Sequence, residues 1–277
     1  MEPVRCPICE IADDEFWGRH YAGYTIVHCR RCGLRYMNPR PSEAEILAIY
    51  GDPYFDEDRR RRIDPEIAAY SAETSHRYAT TFLHYTRASN PCVLDIGTGL
   101  GHFLIHLSKM SGVGRLGGTD ITDVNRERLA THGIDLYLGD IAELDLDRWD
   151  VVTVHHVLEH VLDPNAFLTR VAELLGDGGI LHLVLPNEAS FMSRWKSFLS
   201  RSGLKPRPFK HLSPEHHLWY FDRETLNRLL EKNGFRVLYA GTSAAVKRRN
   251  PVRRLAHRAL DALALNAWLE FVAEPKR

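Results

Sequence analysis

The sequence predicts an α/β fold, an open and mostly parallel sheet with a small metal ribbon in front of it. Three observations carry this. Residues Cys92-Val-Leu-Asp95-Ile-Gly97-Thr-Gly99-Leu-Gly101 read as a buried strand running into a glycine-rich turn that opens a helix. From residue 91 onward, apolar runs alternate with capped helical segments, as a parallel sheet requires. Ahead of both, Cys6, Cys9, Cys29 and Cys32 form two C-x2-C pairs, the spacing of two metal-binding knuckles.

The ribbon occupies residues 1–40. Pro7 stiffens the first knuckle and Gly33 follows the second, where such turns often take a positive φ. Thr25-Ile-Val-His-Cys and Leu34-Arg-Tyr-Met are its strands. Four thiolates in this pattern suit a tetrahedral zinc, without which so small a unit does not fold. The competing reading is a pair of disulfides, which the reducing cytosol disfavours.

Residues 41–89 are a helical linker. Ser42-Glu-Ala-Glu45 is a capping box for a short helix with Ile46, Leu47 and Tyr50 apolar and Gly51 as its stop. A second helix starts at Asp64-Pro65, with Ile67, Tyr70, Thr74, Tyr78, Phe82 and Tyr85 at helical spacing. Both are expected across the mouth of the sheet. Arg59 to Arg62, flanked by acids, reads as a solvated surface.

Residues 90–277 carry the sheet. The glycines at 97, 99 and 101 miss the G-x-G-x-x-G dinucleotide pattern, because His102 stands where its last glycine belongs. An acid two positions before the first glycine also suits a cationic ligand better than a pyrophosphate. That favours S-adenosylmethionine over NAD. Arg115-Leu-Gly-Gly-Thr-Asp120-Ile121, Leu136-Tyr-Leu-Gly-Asp140-Ile141 and Asp150-Val-Val-Thr-Val-His155-His156 follow as further strands ending in polar groups. Thr122 is expected to cap a helix closed by Gly133, Asp163-Pro164 one closed by Gly176, and Asp222 one closed by Gly234. Phe235-Arg-Val-Leu-Tyr and Trp268-Leu-Glu-Phe-Val are the last strands. Cys92 reads as a small buried hydrophobe.

In these segments, together with Val157-Leu158-Glu159-His160, Asp163-Pro164, Gly178 to Pro186-Asn187 and His217-Leu-Trp-Tyr-Phe-Asp, the chain resembles class I S-adenosylmethionine-dependent methyltransferases. The resemblance implies a Rossmann-like, seven-stranded, mostly parallel sheet whose final hairpin is antiparallel. It also implies roles, position by position. Asp95, Gly97, Thr98, Gly99 and Gly101 cradle the methionine portion, Asp120 takes both ribose hydroxyls, Ile121 packs on adenine, Asp140 with Ile141 meets the adenine amino group, and His155 lines the methionyl end. The pair His155-His156 departs from the small polar or acidic residues that relatives often carry there. His217 and His156 are the candidate bases, and histidine's ordinary pKa suits that task. His160 is expected to anchor its helix or touch substrate, and Trp219 and Tyr220 to wall an acceptor pocket.

Lys plus Arg and Asp plus Glu number 36 each in 277 residues, so no net charge steers the chain toward nucleic acid or acidic lipid. The start lacks an apolar leader and no 18-residue apolar run occurs, which reads as cytoplasmic. Two basic insertions remain: residues 191–211, with Phe191, Met192, Trp195 and Phe198 among arginines and lysines, and residues 247–265. Each is expected as a lid or solvated flank, or as a peripheral membrane contact. The reading is a methyltransferase of a small-molecule oxygen. The alternatives are a ribbon protein acting on RNA or protein, disfavoured by the neutral balance, and an NAD-dependent oxidoreductase, disfavoured by His102.

Overall fold

The structure, a computed structural model, describes residues 1–42, 44–46, 72–214, 216–243, 260 and 263–276. The start of the second linker helix, the Arg59 to Arg62 run and most of the 247–265 insertion lie outside these residues. So does the first linker helix beyond Ile46.

Seven strands form the main sheet among the described residues: β4 (Val93–Ile96), β5 (Leu116–Asp120), β6 (Asp135–Leu138), β7 (Trp149–His155), β8 (Leu175–Pro186), β10 (Phe235–Ser243) and β11 (Trp268–Pro275). Their order is β10-β11-β8-β7-β4-β5-β6. The pairs from β8 through β6 are parallel, and β11 is antiparallel to both neighbours. This is the Rossmann-like sheet with an antiparallel final hairpin that the resemblance implies. Central strands buried on both faces need continuous apolar runs, and Val151, Val152 and Val154 of β7 are fully buried.

The helices that cover the sheet begin largely where local chemistry places them. Helix α4 (Pro164–Leu174) is capped by Asp163, whose carboxylate accepts from the N–H groups of Asn165 and Ala166, with Pro164 at the first helical position. Helix α6 (Arg223–Lys232) has a reciprocal capping box between Asp222 and Thr225. Helix α3 (Arg126–Ala130) corrects one expectation, for its N-cap is Asn125, not Thr122. Thr122 turns back instead, its N–H and hydroxyl both donating to Asp120 Oδ1 at 3.0 Å. Helix α2 (His102–Leu107) follows the glycine turn directly.

The second linker helix, α1, is described over 72–85. This part packs on one sheet face, with Phe82 fully buried and Tyr78 nearly so. Helix α5 (Phe191–Arg201) is built inside out. Ser193, Ser197 and Ser200 face inward while Phe191, Met192, Trp195 and Phe198 are each more than half exposed. That outward stripe is the placement a lid or surface-contact helix needs. No described helix is long and apolar enough to cross a membrane.

The ribbon contains β1 (Asp14–Arg19), β2 (Thr25–Cys29) and β3 (Arg35–Met37), of which β1 was not expected. Its sheet does not end at residue 40. Strand β9 (Trp219–Tyr220) adds to β3 as a fourth strand, so the C-terminal domain completes the ribbon sheet. Trp219 and Tyr220 are therefore not open pocket walls. Both are 3% exposed, Trp219 Nε1 donates to Val161 O at 2.7 Å, and Tyr220 packs with Ile26, Phe209 and Leu212.

Candidate functional site

The four ribbon cysteines place their sulfurs within 4.8 Å of one another, with Cys6 and Cys32 at 3.5 Å, and all are free thiols. A tetrahedral zinc with sulfurs at about 2.3 Å has edges near 3.8 Å, so the set fits one ion. Burial first, then Cys32 and Cys29, push the Cys9 thiol up to about 11, and the Cys6 hydrogen bond with burial raises Cys32. A divalent cation inverts that balance, because it deprotonates a coordinating thiol.

At the carboxyl ends of β4 and β5 the glycine turn takes positive φ at Gly97, Gly99 and Gly101. The three differ in what a side chain would meet. At Gly97 a Cβ would lie 2.5 Å from Val157, and at Gly101 2.8 Å from Leu129, so both are fixed by packing as well as by φ. At Gly99 nothing lies within 4 Å, which leaves its side of the turn open to a ligand. Behind the turn, Asn125 Nδ2 donates to Thr98 Oγ1 at 2.8 Å and to Gly99 O at 2.6 Å. Thr98 thus turns its hydroxyl inward, and Asn125, missed because Thr122 was taken as the cap, holds the turn's shape.

Asp120, at the end of β5, is 8% exposed. Gly99 N–H donates to its Oδ2 at 2.8 Å, while Thr122 fills its Oδ1. A carboxylate offers about four acceptor positions, so one stays open on Oδ2. A ribose diol can bind bidentately only if the Thr122 hydroxyl rotates away. Ile121 is half exposed and Asp140 is exposed, its Oδ1 accepting from Ala142 N–H, whereas Ile141 is buried.

Asp95 is buried on the face of the sheet that also carries Thr153, whose hydroxyl donates to Asp95 Oδ1 at 2.6 Å. Burial raises its pKa from 3.8 to about 7, Asp120 adds to the rise, and the Thr153 bond opposes it. Such a carboxyl awaits a positive charge. His155 ends β7 two residues beyond Thr153 on the same face, its Nε2 at 2.9 Å from His182 Nδ1.

A second cluster surrounds Glu159, which is 1% exposed. His156 Nδ1 lies 3.6 Å and His160 Nε2 3.7 Å from its Oε1. Glu159, His160 and His217 offer ligand atoms within 4.8 Å of one another, an arrangement able to hold a cation. Burial pushes the Glu159 carboxyl up, but the His156 hydrogen bond and the charges of His160, His156 and His217 pull it below its ordinary value. Burial lowers His217 to about 4 against the pull of Glu159. His156 takes φ 57, a conformation that non-glycine residues adopt rarely and often at functional sites. His160 Nδ1 is 2.8 Å from His216 O, which anchors the ring. The structure thus brings His156, His160 and His217 together around Glu159, and it removes Trp219 and Tyr220 to the ribbon sheet.

A methyltransferase-domain family model matches residues 55–240. Among curated relatives, the ubiquinone biosynthesis O-methyltransferase of Nitrobacter winogradskyi is 28% identical over 152 residues, 51% of this chain and 55% of that protein. The one from Bradyrhizobium diazoefficiens is 32% identical over 113 residues, 38% and 42% of the two chains. The match spans about half the length of these relatives. Two solved structures share the fold. Magnesium protoporphyrin IX methyltransferase from Synechocystis with bound SAH has a TM-score of 0.59 at 17% identity, covering 85% of this chain and all of that one. The Haloferax volcanii methyltransferase complexed with its Trm112 activator has a TM-score of 0.57 at 18% identity, covering 82% and 97%.

Proposed function

Because the chain belongs to the family of methyltransferase domains, we propose that it moves the methyl of S-adenosylmethionine to an oxygen of a small molecule, a hydroxyl of a sugar, glycan or secondary metabolite. The O-methyltransferase names of its curated relatives support oxygen as the atom methylated. One observation carries the cofactor assignment. Gly99, open where its side chain would stand, donates its N–H to Asp120, a carboxylate with an acceptor position to spare, in the turn that follows the buried carboxyl Asp95, whose raised pKa no cation among the described residues offsets.

In this reading the bound cofactor supplies a methyl already activated by a sulfonium, so no protein nucleophile is needed. The glycine turn presents its backbone, Asp120 accepts from the ribose, Ile121 lies against adenine, and Asp140 stands beside the adenine edge. Asp95 balances the positive end. A hydroxyl acceptor must also lose a proton, which falls to a neutral imidazole at the strand ends, His217 or His156. The ribbon holds one structural zinc through Cys6, Cys9, Cys29 and Cys32.

The test is calorimetry of the full chain with S-adenosylmethionine and with NAD. S-adenosylmethionine is expected to bind, NAD not, and Gly99→Val to abolish binding by filling the open side of the turn. Preference for NAD, or an unchanged Gly99→Val affinity, overturns the assignment.

A further inference from the structure

A polar chain runs across the sheet beneath α1 from His155 to two residues, His182 and Glu270, with no role described so far. The registers Thr153↔His182 and Glu270↔Val184, with His155↔Val184, put His155, His182 and Glu270 on one face of three neighbouring strands. His155 and Glu270 flank Val184 in one row, and His182 stands between them two residues back on β8. His155 Nε2 is 2.9 Å from His182 Nδ1, and His182 Nε2 is 3.4 Å from Glu270 Oε1. His182 is fully buried and Glu270 is 2% exposed. Arg77 of α1 stands 3.9 Å from the other Glu270 oxygen. Tyr78 packs on both imidazoles, Phe82 on His182, and Phe103, just after the glycine turn, on His155.

The chemistry of the bonds constrains the protons. Glu270, facing a guanidinium, is a carboxylate and can only accept, so His182 donates to it from Nε2, and in the neutral ring its Nδ1 offers a lone pair. His155 must then donate from Nε2, which leaves its Nδ1 as an acceptor. A buried acid thereby sets the tautomer of a histidine two hydrogen bonds away. His155 emerges at the carboxyl end of β7, on the same face as Asp95.

We propose that Glu270 and His182 are positioning residues that lock His155 as a neutral acceptor, its Nδ1 aimed at a positively charged group of the bound cofactor beside Asp95. This rests on the S-adenosylmethionine reading. A protonated or Nδ1–H imidazole there would meet that cation with like charge or with a donor. The apolar and aromatic packing against His155, together with its His182 bond, disfavours both states.

Nitrogen-15 NMR of imidazole-labelled full chain reads the lock without any methyl acceptor. His155 is expected as a neutral Nε2–H tautomer from pH 6 to 9, with the His182 proton toward Glu270 on Nε2. His182→Phe, a ring suited to the aromatic surroundings, should give His155 a tautomer mixture and weaken S-adenosylmethionine at least threefold by calorimetry. His155→Leu should weaken it roughly tenfold or more, the scale of one hydrogen bond to a charged group. Equal losses with S-adenosylhomocysteine place the contact at the ammonium, and losses confined to S-adenosylmethionine place it at the sulfonium. A wild-type His155 protonated at Nδ1, or an unchanged affinity in His155→Leu, overturns the proposal. Should His182→Phe not fold, those two measurements decide it. A parent that binds no S-adenosylmethionine refutes the cofactor reading instead.

Discussion

Replacing Asp95 by asparagine is expected to make the empty protein more stable and worse at binding its cofactor. The carboxyl is 4% exposed, and burial is the main reason its pKa stands near 7, not 3.8. That displacement corresponds to about 4 kcal/mol against ionisation in the folded state. The sign follows from linkage. The folded pKa lies above the unfolded one, so below about pH 3 both states are protonated and the group has almost no effect. As pH rises toward 7 the unfolded chain ionises first and stability is lost, and above 7 the loss is constant. The asparagine variant keeps the oxygen that Thr153 donates to, but it cannot ionise. It should therefore exceed the parent by about 4 kcal/mol at pH 8, roughly 1.5 at pH 5, about 0.5 at pH 4 and almost nothing below about pH 3. Thermal melts at pH 8 and pH 5 measure this, with a Tm gain on the order of 10 °C expected at the higher pH. Calorimetry on the same variant should show weaker S-adenosylmethionine, because the charge facing its positive end is gone. Equal stability of variant and parent at pH 8 would refute the argument that this carboxyl is held against ionisation for a cationic ligand.

Three further outcomes are expected. Cys29→Ser should release the ribbon zinc and unfold the first forty residues, since folding and metal binding there are one equilibrium, and elemental analysis with circular dichroism checks it. Asp120→Ala should weaken S-adenosylmethionine by roughly 1.5 to 3 kcal/mol in a calorimetric titration, as hydrogen bonds to a charged group are lost. With the acceptor in hand, His217→Asn should lower kcat roughly a hundredfold with cofactor affinity retained. Because burial holds His217 near 4, its neutral form persists through pH 6 to 9, and no step from this group should enter the kcat profile there.

What was legible in the chain was whatever is encoded locally. The strand and glycine turn around Asp95, the caps at Asp163 and Asp222 and the cysteine spacing are all short-range signals, and the parallel pairing of the sheet follows from alternating strands and helices. What was not legible depends on partners distant in sequence. Trp219 and Tyr220 look like pocket aromatics because they sit between a strand end and a helix cap. Only the pairing with Arg35 and Tyr36, far earlier in the chain, makes them a strand. Likewise His182 and Glu270 read as scattered polar residues in apolar runs, and their alignment depends on the register of β11 against β8. Thr122 was a plausible cap by type, but its hydroxyl had a nearer acceptor in Asp120.

The same strand β9 joins the ribbon to the candidate site. Leu218, immediately before it, accepts from Met37 N–H at 3.0 Å and donates its own N–H to Glu159 O at 2.8 Å. One residue's backbone thus bridges the end of β3 and the centre of the histidine cluster. His160 is anchored on His216 O, and His217 precedes Leu218, so the cluster's geometry is fixed from the ribbon side as well as from the sheet. Further ties bind the first cysteine knuckle to the helices flanking the core. Asn165 Nδ2 and Lys232 Nζ both donate to Pro7 O, at 3.0 and 2.6 Å. A metal that ordered the knuckles would therefore also steady β3 and, through Leu218, the backbone at Glu159 and His217. The ribbon thus stands as a brace for the strand ends where chemistry is proposed.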